Sequence, residues 1–422
     1  VEQRASVEIH FRDVSAERDP EAGASALLTE VANRPFPPED HPLLRAMLVG
    51  LGSDHHIFCL IVDHLVADGI SLGILMAELF AGYTRIRSGD RSVPPPLVLQ
   101  YADFVAWQRQ RLTGPAADKT LAYWKQKLAG LPQFLPLPTD KPRPPVLTYA
   151  GDRVTAVLGP ELSIQLKALA RAEGATLFMV LMAAFHALLS RLTGETDLAV
   201  GTAVANRGDG RFDQLIGFFA NNIVLRGDLS GNPEMKEVIA RTRETSVSAY
   251  AHEELQFDRL VEVLAPTREL NRSPIFQVMF VLRSEPGTSR ELGGLRFEPV
   301  DCGLRTARFD LAVDAVDQPD GIDLSFEFNS DLFLPESIVR MVARFRRILE
   351  SVVADPGIRL GALPLLEPDE EQRLRRFETG PGMSEADTAF VQSFAAACAT
   401  HGQSVAVRCA DRSLTYAQLD AE

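Results

Sequence analysis

Residues 57–72 read Ile-Phe-Cys-Leu-Ile-Val-Asp-His-Leu-Val-Ala-Asp-Gly-Ile-Ser-Leu. The run Ile57 to Val62 is apolar throughout and predicts a strand buried on both faces. Asp63, His64, Asp68, Gly69 and Ser71 follow at once. An amphipathic helix then begins, with Leu72, Leu75, Met76, Leu79, Phe80 and Tyr83 at helical spacing. A strand end that delivers His64 beside a glycine turn and a helix start suits acyl transfer. An imidazole can take a proton near neutral pH. Backbone N–H groups from Gly69 onward can face an oxygen that becomes negative. A plainer reading fits the same residues: Asp-Gly is an ordinary turn dipeptide and Ser an ordinary helix cap.

The elements that must position these residues alternate between strand and helix. A short strand at Val7, Ile9 and Phe11 leads into an Ala-rich helix, which Arg34-Pro35-Phe36-Pro37-Pro38 breaks before a strand at Leu43 to Leu51. Helices are expected at Tyr101–Arg111 and Thr120–Leu128. Six prolines between Leu131 and Val146 then describe an extended crossover, because proline fixes φ and removes a helix donor. Beyond it the pattern gives a strand (Arg153–Leu158), helices (Glu161–Glu173 and Thr176–Leu192) and a strand (Leu198–Ala203). It continues with a helix near Met235–Ala251, strands at Phe276–Leu282 and Asp323–Asn329, and a helix at Pro335–Val353. Interleaved strands and helices indicate α/β layers. Residues 376–386 read as a linker, and the strand-turn-strand-helix pattern from Ser404 onward reads as the start of a further domain.

With 422 residues the chain can hold two or three domains. Its 46% hydrophobic and 24% charged residues fit a globular protein. The net charge of −14 argues against nucleic acid or an anionic membrane as the main partner. Cys59, Cys302, Cys398 and Cys409 lie far apart with no C-x-x-C pair, so neither a metal site nor a disulfide framework is expected, and a reducing cytoplasm is the natural compartment.

The stretch Asp63-His64-Leu65-Val66-Ala67-Asp68-Gly69 resembles the His-His-x-x-x-Asp-Gly motif of condensation domains in nonribosomal peptide synthetases, within the chloramphenicol acetyltransferase-like superfamily. Further resemblances follow in order: Tyr101-Ala-Asp-Phe-Val-Ala-Trp107-Gln108, and Tyr123-Trp124 with Leu135-Pro-Leu-Pro-Thr-Asp140 and Arg143-Pro144. Next come Ile216-Gly217-Phe218-Phe219-Ala220-Asn221-Asn222, Phe257-Asp258-Arg259-Leu260-Val261, and Arg268 to Pro274. Leu414-Thr415-Tyr416-Ala417-Gln418-Leu419 is similar to the opening motif of an adenylation domain.

This resemblance implies an α/β fold of two chloramphenicol acetyltransferase-like lobes in a V, with a substrate tunnel between them. The lobes would be residues 1–115 and 116–375, followed by the 376–386 linker and an adenylation-domain start at 387–422. It implies amide formation between donor and acceptor thioesters carried on phosphopantetheine arms of an upstream and a downstream carrier protein, with no directly bound cofactor and no metal. His64 would orient the acceptor amine and take its proton, and the amide after Gly69 would stabilise the oxyanion. Asp68 and Ser71 would hold the loop, and Asn221, Asn222 and Arg272 could face the tunnel. Asn221 and Asn222 suit core or turn hydrogen bonding equally, and Arg272 suits a salt bridge between lobes. In the family the Asp68 position pairs with an arginine from a segment carrying Arg-His-Glu, which would precede residue 1. Tyr101, Trp107 and Trp124 read as packing residues, and His55, His56 and His252 as ordinary polar residues.

Asp63 stands where the family has its first histidine. It can hydrogen-bond turn amides, or place a negative charge beside His64. Asp63, Asp68 and Ser71 also satisfy the motif of heterocyclization domains, and a degraded motif elsewhere in the family goes with a non-catalytic recruitment platform.

Overall fold

The computed structural model describes residues 7–37, 42–208, 210–264, 269–284, 290–292, 294–379, 390–409 and 412–422. Arg268 and residues 380–389, which fall in the later motif, the expected linker and the expected domain start, lie outside the described residues. The chain divides into two compact units, Val1–Leu365 and Leu366–Glu422.

The first unit opens with β1 (Ile9–Asp13), α1 (Pro20–Asn33), β2 (Leu44–Gly50) and β3 (His56–Val62). Asp19 caps α1 by accepting the Ala22 amide, and Pro20 supplies the preset φ of a first helical turn. The sheet runs β1-β2-β3, with β1 parallel to β2 and β3 antiparallel to it. The expectation for β3 is corrected here: none of its residues is fully buried. Among the described residues it pairs only with β2, and Ile57 and Cys59 pack with Val14, Ala24, Met47 and Val49. The apolar run therefore has one packed face rather than two. The stripe on α2 (Gly69–Arg87) is likewise open, with Ser71 its buried residue and Leu72, Leu79 and Tyr83 exposed.

Two helices, α3 (Tyr101–Arg111) and α4 (Pro115–Lys127), precede the proline-rich crossover. That strap is tied down along its length. The Leu135 amide donates to Gln277 Oε1 at 3.0 Å, and Arg143 Nη1 reaches buried Asp310 Oδ1 at 2.9 Å. Asp140 accepts from the Leu334 amide and the Ser337 hydroxyl, which satisfies open donors at a helix start.

Beyond the strap come β4 (Gly151–Leu158), α5 (Pro160–Ala172), α6 (Leu177–Thr193), β5 (Asp197–Val204) and β6 (Asn221–Asp228). Next follow α7 (Met235–Tyr250), α8 (Phe257–Leu264), β7 (Val278–Ser284), the short pair β8 (Arg290–Leu292) and β9 (Leu295–Phe297), β10 (Leu311–Gln318), β11 (Gly321–Asn329) and α9 (Pro335–Ala354). Six of the strands form one sheet in the order β4-β11-β10-β7-β5-β6, in which β7 is parallel to both β10 and β5.

The main core lies between this sheet and its helices. Every residue of α6 from Met179 to Ser190 is buried, as a helix apolar on all sides requires. His186 lies among them against Gly227, whose added Cβ would stand 3.0 Å from the ring. Burial pushes its pKa down to about 4, with the Leu225 main chain opposing.

The second unit holds α10 (Pro368–Thr379), α11 (Phe390–His401), the antiparallel pair β12 (Val405–Cys409) and β13 (Arg412–Thr415), and α12 (Tyr416–Ala421). Residues 376–379, expected as linker, are the end of α10. No single helix among the described residues is long and apolar enough to cross a membrane.

Candidate functional site

Strand β3 ends at Val62 and the chain turns through Asp63 to Ala67 before α2 starts at Gly69. Asp63 shapes that turn, its Oδ1 accepting the Leu65 amide at 2.9 Å and its carbonyl the Val66 amide at 3.1 Å. This is the turn-forming role, an Asx turn that throws His64 outward. His64 is exposed, and its ring lies 5.1 Å from that of Phe218 at 72°.

Asp68 is the N-cap of α2, and its Oδ1 accepts the Ser71 amide at 2.8 Å. The Leu72 amide bonds the Asp68 carbonyl. Among the described residues the Gly69 and Ile70 amides have no acceptor, and they stand at the positive end of a nineteen-residue helix. Nothing lies within 4 Å of a Cβ built on Gly69, so the approach to these amides is open.

The other half of the site is built from residues 206–208 and 210–222. Asp68 Oδ2 accepts the amides of Phe219 at 3.0 Å and Ala220 at 3.1 Å, and the Asp68 amide donates to the Gly217 carbonyl at 3.1 Å. The Ser71 hydroxyl donates to the same carbonyl at 2.8 Å and accepts the Gly217 amide at 3.1 Å. Arg207 closes the network. Its Nη2 reaches Asp68 Oδ1 at 3.3 Å and Ser71 Oγ at 3.0 Å, and its Nη1 donates to the Phe212 and Leu215 carbonyls, both at 2.9 Å. The guanidinium carbon lies 4.1 Å from the centre of the Phe219 ring. Burial alone would raise the Asp68 pKa; bonds from the Ser71 and Phe219 amides and the Arg207 charge outweigh it and hold the carboxyl below the usual range.

Helix α3 buttresses this segment. The Tyr101 hydroxyl donates to the Phe218 carbonyl at 2.7 Å, and a Cβ at Gly217 would sit 2.1 Å from the Tyr101 ring, so only glycine fits there. Trp107 occupies the matching space at Gly208, which also has a φ of +75°. Phe104, Phe212, Leu215 and Phe219 form the small core beneath.

Asp68, Arg272 and His252 have partners that the sequence alone does not name. Asp68 pairs with Arg207, a residue to which sequence reasoning gave no role; no local spacing marks it, because 139 residues separate the partners. Among the described residues Arg272 pairs locally: its Nε is 2.7 Å from Glu269 Oε2, three residues away, and its guanidinium covers Phe134. Of the two candidate tunnel asparagines, Asn221 is committed to main chain. Its Nδ2 donates to the Glu253 and Leu255 carbonyls at 2.8 Å each, and its Oδ1 accepts the Phe257 amide. Asn222 is half-buried opposite Ala203. His252, which the sequence presents as an ordinary polar residue, stacks on Tyr123 with ring centroids 3.8 Å apart. A cavity of about 790 Å³ opens elsewhere, beyond the far end of β6, with His186, Arg226 and Arg241 in its wall and no residue of the His64 loop.

Residues 1–375 match the condensation-domain family. The chain belongs to that family. This condensation domain is 42% identical over 356 residues to one of the linear gramicidin synthase proteins of Brevibacillus parabrevis, covering 84% of the chain and 7% of that protein. It is 37% identical to the phosphinothricin tripeptide synthetase PhsC of Streptomyces viridochromogenes over 94% of the chain and 37% of that protein. The chain therefore spans a small part of the curated relatives it matches. Among solved structures, the X-domain from teicoplanin biosynthesis, solved in complex with OxyB, superposes with a TM-score of 0.77 at 29% identity over 86% of this chain and 81% of that one. The first condensation domain of the calcium-dependent antibiotic synthetase superposes at 0.71 over 86% and 79%, and at 23% identity supports the shared α/β fold.

Proposed function

We propose that this condensation domain forms an amide bond between two carrier-bound thioesters, as a unit of a nonribosomal peptide synthetase. The acceptor amine attacks the donor thioester carbonyl, the carbon–sulfur bond breaks, and the donor carrier's phosphopantetheine thiol leaves with a proton. The observation that carries this reading is that exposed His64 and the two open amides of Gly69 and Ile70 belong to one short loop, whose helix end is fixed by the buried Asp68 cap. His64 takes the proton of the attacking amine. The helix-start amides stabilise the tetrahedral oxyanion. Holding two tethered reactants in register supplies the larger part of the acceleration, since well-oriented reactions gain about 7–11 kcal/mol.

The partners implied are an upstream donor carrier protein, a downstream acceptor carrier protein and an adjacent adenylation domain, to which the second unit would belong; the lobes would be residues 1–115 and 116–375. The reading puts the reaction in a reducing cytoplasm, which the widely spaced cysteines support. The test uses carrier proteins loaded with donor and acceptor: His64→Ala slows product formation by about 10²–10⁴-fold with an unchanged melting curve. A parental rate for that variant removes His64 from the chemistry.

A recruitment platform is the second reading, favoured by the likeness to the teicoplanin X-domain. Absence of product from the parent chain under the same conditions, with retained binding of loaded carrier protein, selects it. Retention of His64 and Gly69 supports the enzyme.

A further inference from the structure

Phe218 faces His64 from a main chain that is fixed on both sides. Gly217, before it, exchanges bonds with the Ser71 hydroxyl and accepts the Asp68 amide; Phe219, after it, donates to Asp68 Oδ2 at 3.0 Å. Its own carbonyl accepts the Tyr101 hydroxyl. The side chain is 40% exposed, so the small core beneath does not account for an aromatic there. What it touches is the imidazole, at 5.1 Å and 72°, an edge-on ring pair.

The His64 loop offers its side chain little else. Asp63 bonds the Leu65 amide, Asp68 is turned inward, and Leu65 is 72% exposed. An imidazole in that position would exchange among staggered wells within nanoseconds. An edge-on aromatic neighbour shifts such an equilibrium by about two- to tenfold.

We infer that Phe218 is a positioning residue for His64: its ring, anchored through the 217–220 backbone to Asp68, Ser71 and Tyr101, selects the imidazole orientation that meets the acceptor amine. The role rests on His64 as proton acceptor, and it means that Asp68 acts on His64 across the 217–220 strap as well as along its own loop.

The experiment compares Phe218→Leu with Phe218→Tyr in the whole chain, supplied with loaded carrier proteins. Phe218→Leu is expected to lower kcat about three- to tenfold with KM and melting temperature unchanged, and Phe218→Tyr to keep the parental kcat. In carbon-13 spectra of histidine-labelled protein, the His64 ring signals, identified by their loss in His64→Gln, move in Phe218→Leu and stay in place in Phe218→Tyr. Unmoved signals, or a parental kcat for Phe218→Leu beside a slow His64→Ala, overturn the role of Phe218 alone. A parental rate for His64→Ala overturns the reading of His64 beneath it.

Discussion

The Asp68 carboxylate and the Arg207 guanidinium meet at 3.3 Å in a site where both side chains are buried. Neither charge has water to return to, so the pair is held by neighbours: three amides and the Ser71 hydroxyl around it, and the Phe212 and Leu215 carbonyls behind the guanidinium. Removing one member of a buried pair leaves an uncompensated charge. Arg207→Ala is therefore expected to lower stability by about 3–5 kcal/mol in urea titration. Arg207→Lys recovers little of it, because a single ammonium cannot reach four acceptors spread over a planar fork. A loss below about 1 kcal/mol for Arg207→Ala would mean the pair does not hold the site.

Ser71→Ala deletes a hydroxyl that accepts from Arg207 and Gly217 and donates to the Gly217 carbonyl. The expected cost is about 1–3 kcal/mol by thermal or urea unfolding, since those partners stay buried. Activity should fall further than folding, because the start of α2 shifts with it.

Gly217→Ala forces a methyl into the Tyr101 ring. Overpacking of this kind costs about 1–3 kcal/mol. The double variant with Tyr101→Ala tests the contact directly: the two changes should be strongly non-additive in a double-mutant cycle. Additive losses would show that the ring is not what excludes the side chain.

Asp63→His restores the common family residue at the turn. An amide-forming domain should keep its activity, whereas in a heterocyclizing one the same change should abolish ring formation. Product mass decides, since an azoline has lost a water that a plain amide retains.

His186 supplies the pH dependence. Its folded pKa, about 4, lies below the ordinary 6.5, so the folded chain keeps it neutral while the unfolded chain protonates first. Its contribution is complete above pH 6.5 and is lost as pH falls toward 4, an effect of about 3 kcal/mol. Urea midpoints measured from pH 7 to pH 4.5 should show this slope, and His186→Gln should flatten it. An unchanged slope in that variant assigns acid sensitivity to other groups.

Where local pattern governs structure, the sequence was readable. Helix α3 has the bounds its periodicity indicated, and α6, β5, β11 and α9 lie within a few residues of theirs. Strand β10 escaped notice because Asp314 and Asp317 interrupt its apolar pattern; in the sheet they are neutralised by Arg283 and Lys167. The burial of β3 departs from its apolar pattern because such a run states what a strand tolerates, while its neighbours decide what covers it. The motif spacing gave His64, Asp68, Gly69 and Ser71. It could not give Arg207 or the closure of Asn221 on three main-chain groups, since both arise only when distant segments meet.

Asp68 recognises the 219–220 segment through N–H groups alone. Nineteen of the twenty amino acids offer that group, so the side chain at 220 is free to diverge for other ends while the loop stays latched, whereas Phe219 is also held by the small core beneath it. The excluded residue is proline, which has no N–H to give. Tolerance at 220 to every substitution but that one would be the signature of a latch written in the main chain.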